Sequence, residues 1–92
     1  MPKALEGAFG DDADCTLIER TLRQALATAD NGTITRWTNT RSGVSGTIKL
    51  AAAEGRDGAA CRRAELTVTR GGETKRAEAV ACVKQGAWVI VE

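Results

Sequence analysis

The stretch from Cys61 to Cys82 constrains this chain more than any other. At its centre lies Gly71-Gly72, flanked by runs in which apolar and polar residues alternate: Ala64, Leu66 and Val68 before it, Ala77, Ala79, Ala81 and Val83 after it. A two-residue Gly-Gly loop is a strong hairpin signal, because both central positions accept the positive φ that matches strand twist. With Arg70 and Glu73 closing the turn, Leu66 faces Ala77, Ala64 faces Ala79 and Cys61 faces Cys82. Hydrogen-bonded and non-hydrogen-bonded pairs alternate outward, and the cysteines fall on a non-hydrogen-bonded pair, where the Cα atoms are closest. That spacing is at the short end of disulfide reach, so the reading is a cross-strand disulfide between Cys61 and Cys82.

The same counting extends to the neighbours. Thr33 to Asn39 and Val44 to Ala52 read as a hairpin closed at Asn39 and Val44, which sets Trp37 beside Gly46. Between Ala52 and Cys61 the side-chain faces choose the loop. A three-residue Arg56-Asp57-Gly58 loop, with Gly58 left-handed in a bulge, pairs Ile48 with Leu66 and Leu50 with Ala64, whereas a two-residue loop sets Lys49 against Leu66. Beyond Cys82, a tight turn at Gln85-Gly86 sets Trp88 opposite Val83 and Ile90 opposite Ala81. Upstream, Cys15, Ile18, Leu22, Ala25, Leu26 and Ala29 recur at three- and four-residue spacing, the mark of an amphipathic helix. Asp11, Asp12 and Asp14 supply its start and Asn31-Gly32 a left-handed stop.

The expected architecture is α+β: one N-terminal amphipathic helix packed on a four- to five-stranded antiparallel β-meander. Residues 1–10 read as a flexible lead-in and 11–92 as a single domain. Its core is expected from Ile18, Leu22 and Leu26 on the helix and from Trp37, Leu66, Val68, Trp88 and Ile90 on the sheet. The other face carries Arg63, Glu65, Arg76 and Glu78 in water. Aromatic bulk is limited to Phe9, Trp37 and Trp88, and there is no tyrosine. So thin a core gains from a staple, and a disulfide implies an oxidising compartment. Met1-Pro2-Lys3 is not followed by an apolar signal-peptide core, which leaves a cytosolic protein or an excised mature domain. The cysteine geometry favours the second.

Composition argues against most chemistry. The chain has no histidine, which removes the commonest general base and the commonest zinc ligand. Cys15, Cys61 and Cys82 lack C-x-x-C spacing, so a disulfide plus an inert buried thiol at Cys15 is preferred to a zinc or redox centre. Asp11, Asp12 and Asp14 lack the spacing of a calcium loop and are explained by helix capping. Glu65 faces Glu78, but between Arg63 and Arg76 the pair reads as a solvated charge lattice rather than a catalytic dyad. Trp37 and Trp88 admit ligand stacking, yet both fall on the inner face and read as core. With a net charge of +1, and Arg36, Arg41, Lys49, Arg62, Arg70, Lys75 and Arg76 dispersed as solvated surface, nucleic-acid binding is not expected. No catalytic residue, metal or cofactor is assigned.

An amphipathic helix followed by Trp37-Thr38-Asn39, Ser45-Gly46-Thr47, Cys61-Arg62, Gly71-Gly72, Ala81-Cys82 and Trp88-Val89-Ile90-Val91 resembles the C-terminal domain of the alpha-proteobacterial outer-membrane surface antigens. The resemblance covers roughly Asp14 to Glu92. Those proteins are typically lipoproteins with a glycine-zipper segment; neither lipobox nor zipper is found here, and Cys15 after Ala13-Asp14 does not match a lipidated cysteine. The resemblance implies a non-catalytic structural or interaction domain of the cell envelope, periplasmic or at the outer membrane. Membrane attachment would then come only through a precursor anchor absent from this chain. The alternative is a binding module for an envelope partner, such as a protease that it inhibits or peptidoglycan, contacted through an edge strand or a surface. A monomer or weak dimer is expected.

Overall fold

A computed structural model describes residues 12–91. The lead-in at 1–10, Asp11 and the Asp12 side chain lie outside what is described, and with them their part in starting the helix. Helix α1 spans Asp12–Thr28, followed by β1 (Ile34–Asn39), β2 (Val44–Arg56), β3 (Ala59–Arg70), β4 (Glu73–Lys84) and β5 (Ala87–Ile90). The strands form one antiparallel sheet in the order β1-β2-β3-β4-β5, curled into a half-barrel with the helix packed on it.

Period-two alternation divides the sheet into two faces. The inner face carries Trp37, Val44, Ile48, Leu50, Ala64, Leu66, Val68, Ala79 and Ala81, all buried in one cluster with Ile18, Leu22, Ala25 and Leu26 of α1. Trp88 and Ile90 pack against this cluster while remaining half-buried. The outer face holds Arg63, Glu65, Arg76 and Glu78, all exposed.

The expected pairs form. Cys61 faces Cys82, Leu66 faces Ala77, Trp37 faces Gly46, Ile48 faces Leu66, Leu50 faces Ala64 and Trp88 faces Val83. Gly71 and Gly72 both have positive φ, 58° and 83°, as a two-residue hairpin loop requires. Cys61 and Cys82 are bonded, with Cα atoms 4.0 Å apart.

Two local expectations are corrected. The β2–β3 connection is a two-residue turn, Asp57-Gly58, closed by Arg56 and Ala59, with φ of 51° and 78°. The extra residue lies further back, because the register shifts between Ala53 and Arg56. Glu54 and Gly55 there oppose Ala60 alone, a β-bulge that restores the apolar pairing. A Cβ on Gly55 would lie 2.9 Å from the Ala59 carbonyl oxygen, so the bulge is seated on the residue with no side chain. The second correction concerns Asn31-Gly32. Helix α1 ends at Thr28, and Gly32, at φ 90°, instead donates its N–H to the Leu50 carbonyl at 2.6 Å, opening the sheet rather than closing the helix.

Gly46 is where the sheet accepts its largest side chain. A Cβ there would collide with the Thr67 carbonyl oxygen and lie 2.7 Å from Cζ2 of Trp37. The indole therefore lies over bare backbone. Gly46→Ala should lower the free energy of unfolding by about 2 kcal/mol or more, as overpacking against backbone does. Urea denaturation followed by tryptophan fluorescence measures this, and a loss below about 0.5 kcal/mol would remove the steric account.

Candidate functional site

A helix end leaves backbone groups without intrahelical partners and carries partial charge. The last turn of α1 contains no basic residue. The missing cation comes from β3. Arg62 lies on the inner face, where its Nη1 donates to the Leu26 carbonyl at 2.9 Å and its Nη2 to the Ala29 carbonyl at 2.6 Å. Its Nε donates to Asn31 Oδ1 at 2.8 Å. The guanidinium also lies over the Trp88 ring, 5.5 Å from its centroid, a cation–π distance. Arg62 is thus half-buried and engaged on every side, which corrects its reading as solvated surface. Trp88 is correspondingly a platform for Arg62.

The other end of the helix is held by the opposite charge. Asp14 is only 1% exposed. Its Oδ1 accepts from Asn39 Nδ2 at 2.7 Å and from Ser42 Oγ at 2.8 Å. Asn39 closes the β1–β2 hairpin, and its own Oδ1 accepts the Arg41 N–H at 3.1 Å. Asp14 therefore fastens the first turn of α1 to the β1–β2 loop, a tertiary role beyond the helix start expected of Asp11, Asp12 and Asp14 together. Both roles had a signal in the sequence. Arg62 shares its strand parity with Ala64 and Leu66, and Asp14 stands four residues before Ile18 on the apolar stripe.

The remaining predicted residues fall as follows. Ile18, Leu22, Leu26, Trp37, Leu66 and Val68 are buried. Cys15 lies outside the disulfide and packs against the core, half-buried where a buried thiol was expected. Arg36, Arg41, Lys49, Arg70, Lys75 and Arg76 are exposed. Glu65 and Glu78 do face each other, in an outer-face depression of about 440 Å³ that Lys49, Arg76, Thr47 and Thr67 also line. The Thr47 and Thr67 hydroxyls bond each other at 2.6 Å. Among the described residues, no group of three His, Cys, Asp or Glu side chains is placed to hold a metal ion. No described helix is long and apolar enough to cross a membrane.

The disulfide adds a feature to the outer face that its charges concealed. Cys61 and Cys82 lie on this face, opposite to the helix, and are buried among small and β-branched residues: Ala53, Val80, Val89 and Val91. The outer face is therefore apolar around the disulfide, between the exposed Arg63 and Lys84.

These features define a class: a disulfide-stapled antiparallel sheet with one helix clamped across its inner face. The profile of the 17 kDa outer membrane surface antigen family matches residues 24–89, well over half of the chain, and the chain belongs to that family. Membership points it to the cell envelope. No curated protein and no solved structure matches.

The clamp is testable at both ends. Arg62→Ala should cost about 2 kcal/mol, since charge-assisted hydrogen bonds to orphan carbonyls are lost, and Arg62→Lys should recover little because a single ammonium cannot reach all of Arg62's acceptors. Amide exchange should accelerate in the last turn of α1. Asp14→Ala should cost about 1–3 kcal/mol by leaving the Asn39 and Ser42 donors without this acceptor, while Asp14→Asn retains an oxygen and should lose less. Chemical denaturation of the variants checks both, and wild-type stability in Arg62→Ala would overturn the clamp.

Proposed function

We propose that the chain is a non-catalytic interaction module of the bacterial cell envelope, acting as the mature, extracytoplasmic part of a surface antigen tethered at the outer membrane through a precursor segment. The observation that carries this reading is the Cys61–Cys82 bridge at the open end of the β3–β4 hairpin, in a chain of an outer-membrane surface antigen family. A bond of this kind persists where thiols are oxidised. It also offsets the cost of a core in which Ala64, Ala79 and Ala81 stand where larger side chains would bury more apolar surface. The acidic pair Glu65 and Glu78 supports surface contact rather than catalysis, because both carboxylates are exposed.

A second reading, a binding module for an envelope partner, is favoured by the outer-face depression. Lys49 and Arg76 beside Glu65 and Glu78 suit a ligand carrying both charges, such as the stem peptide of peptidoglycan. Titration with muropeptides should move backbone resonances at Thr47, Lys49, Glu65 and Arg76, and unmoved resonances would set this reading aside.

The leading reading is tested by intact mass and peptide mapping of protein recovered from the envelope fraction without reductant. Cys61 and Cys82 should be joined and Cys15 free. Three reduced thiols in that fraction would count against the compartment. In a double Cys61→Ala, Cys82→Ala variant the stability loss should be about 3 kcal/mol, the chain-entropy value for a loop of this length.

A further inference from the structure

Among the described residues the sheet ends in two edges, β1 and β5, that no further strand covers, and they are not equivalent. On β4 and β5, the Val91 N–H donates to the Val80 carbonyl at 2.8 Å, so Val80 and Val91 form a hydrogen-bonded pair. By alternation Cys82 with Val89 and Lys84 with Ala87 do the same, and Trp88 and Ile90 turn their N–H and C=O groups to the free edge. On β1, Leu50 N–H donates to the Thr33 carbonyl, and by the same alternation Ile34, Arg36 and Thr38 present their backbone to the other edge. Arg36 is exposed in the middle of that edge, a charge of the kind that discourages strand addition. Strand β5 has no such guard. Its residues are Ala87, Trp88, Val89 and Ile90, followed by Val91, with no charge and no proline among them.

We propose that β5 is a pairing edge for a second copy of this chain, forming a two-fold symmetric antiparallel dimer with a continuous sheet. The edge is self-complementary. Only Trp88 and Ile90 present edge groups on β5, and placing Trp88 opposite Ile90 of the second copy satisfies both residues on both chains. That register sets Val89 against itself on the two-fold axis, at a non-hydrogen-bonded site where side chains are closest. Val89 is 38% exposed on the outer face, next to Val80, Val91 and the disulfide. The axis therefore brings the apolar regions of two outer faces together as one strip. On β1 the centred register would instead set Arg36 against Arg36. The β5 edge is short and buries well below the area of a standard interface, so the dimer is weak and forms on the order of 0.1–1 mM, or at lower bulk concentration where the chain is crowded on a surface.

Pairing through β5 follows from the geometry of that strand and is independent of the compartment. Sedimentation equilibrium of the disulfide-intact chain should show an apparent mass rising towards twice the monomer as concentration goes from about 10 µM to about 1 mM. In the same range, exchange of the Trp88 and Ile90 amides should slow. Val89→Lys, at a position 38% exposed, should stay monomeric throughout while remaining folded when dilute, with the far-UV circular dichroism of the wild type. Val89→Glu should also be monomeric alone, and an equimolar mixture of the two variants should recover the dimer, because only this register places opposite charges on the axis. A wild-type chain that remains monomeric at about 1 mM, including one whose β5 accepts only foreign peptides, would overturn the proposal. So would a dimer that survives Val89→Lys, or a mixture that fails to associate.

Discussion

Everything in this structure depends on holding a single helix against one face of a sheet with very little bulk between them. Isolated helices of this length are marginal in water, so α1 persists only through its tertiary contacts. Burial of Ile18, Leu22, Ala25 and Leu26 supplies the nondirectional part. Direction comes from the two ends. Asp14 at the first turn takes donors from the β1–β2 loop, and Arg62 from β3 takes up carbonyls at the last turn. Each charge sits at the helix end whose partial charge it complements. Because the two anchors lie on different parts of the sheet, they set the angle at which the helix crosses it, which apolar packing alone would leave loose.

The alanines of the inner face follow from this arrangement. Ala64, Ala79 and Ala81 are buried although they contribute little area each, which leaves Val44, Ile48, Leu50, Leu66 and Val68 to supply most of the sheet's apolar bulk. Trp37 is the largest of the inner-face side chains, and it needs Gly46 to be bare. The disulfide complements the clamp from the opposite face. It ties β3 to β4 one residue from Arg62, so the strand that caps the helix cannot slide against its neighbour. Clamp and staple act on the same end of β3, one on each side of the sheet.

The sheet surface that the helix does not cover is the outer face. The outer face offers two regions of different chemistry. One is a depression with both signs of charge around Glu65 and Glu78; the other is an apolar region over the disulfide that runs out to β5. The stapled β3–β4 hairpin carries residues of both regions.

Strand pairing was legible in the sequence because it is governed by local rules. Turn residues such as Gly71-Gly72 and period-two alternation set which residues face each other, so Cys61 meets Cys82 and Trp37 meets Gly46 without reference to the rest of the fold. The family resemblance rested on the same stretches. In the β2–β3 connection those rules returned the right register through the wrong turn, since a bulge at Glu54-Gly55 and a three-residue loop shift pairing equally. What only the tertiary structure decided is where the charged residues with inward parity find partners. Arg62 and the Leu26 carbonyl are separated by 36 residues, and Asp14 and Asn39 by 25. No spacing rule links positions so far apart, because their meeting depends on the helix lying across the sheet at one particular angle, and that angle exists only once the whole chain has folded.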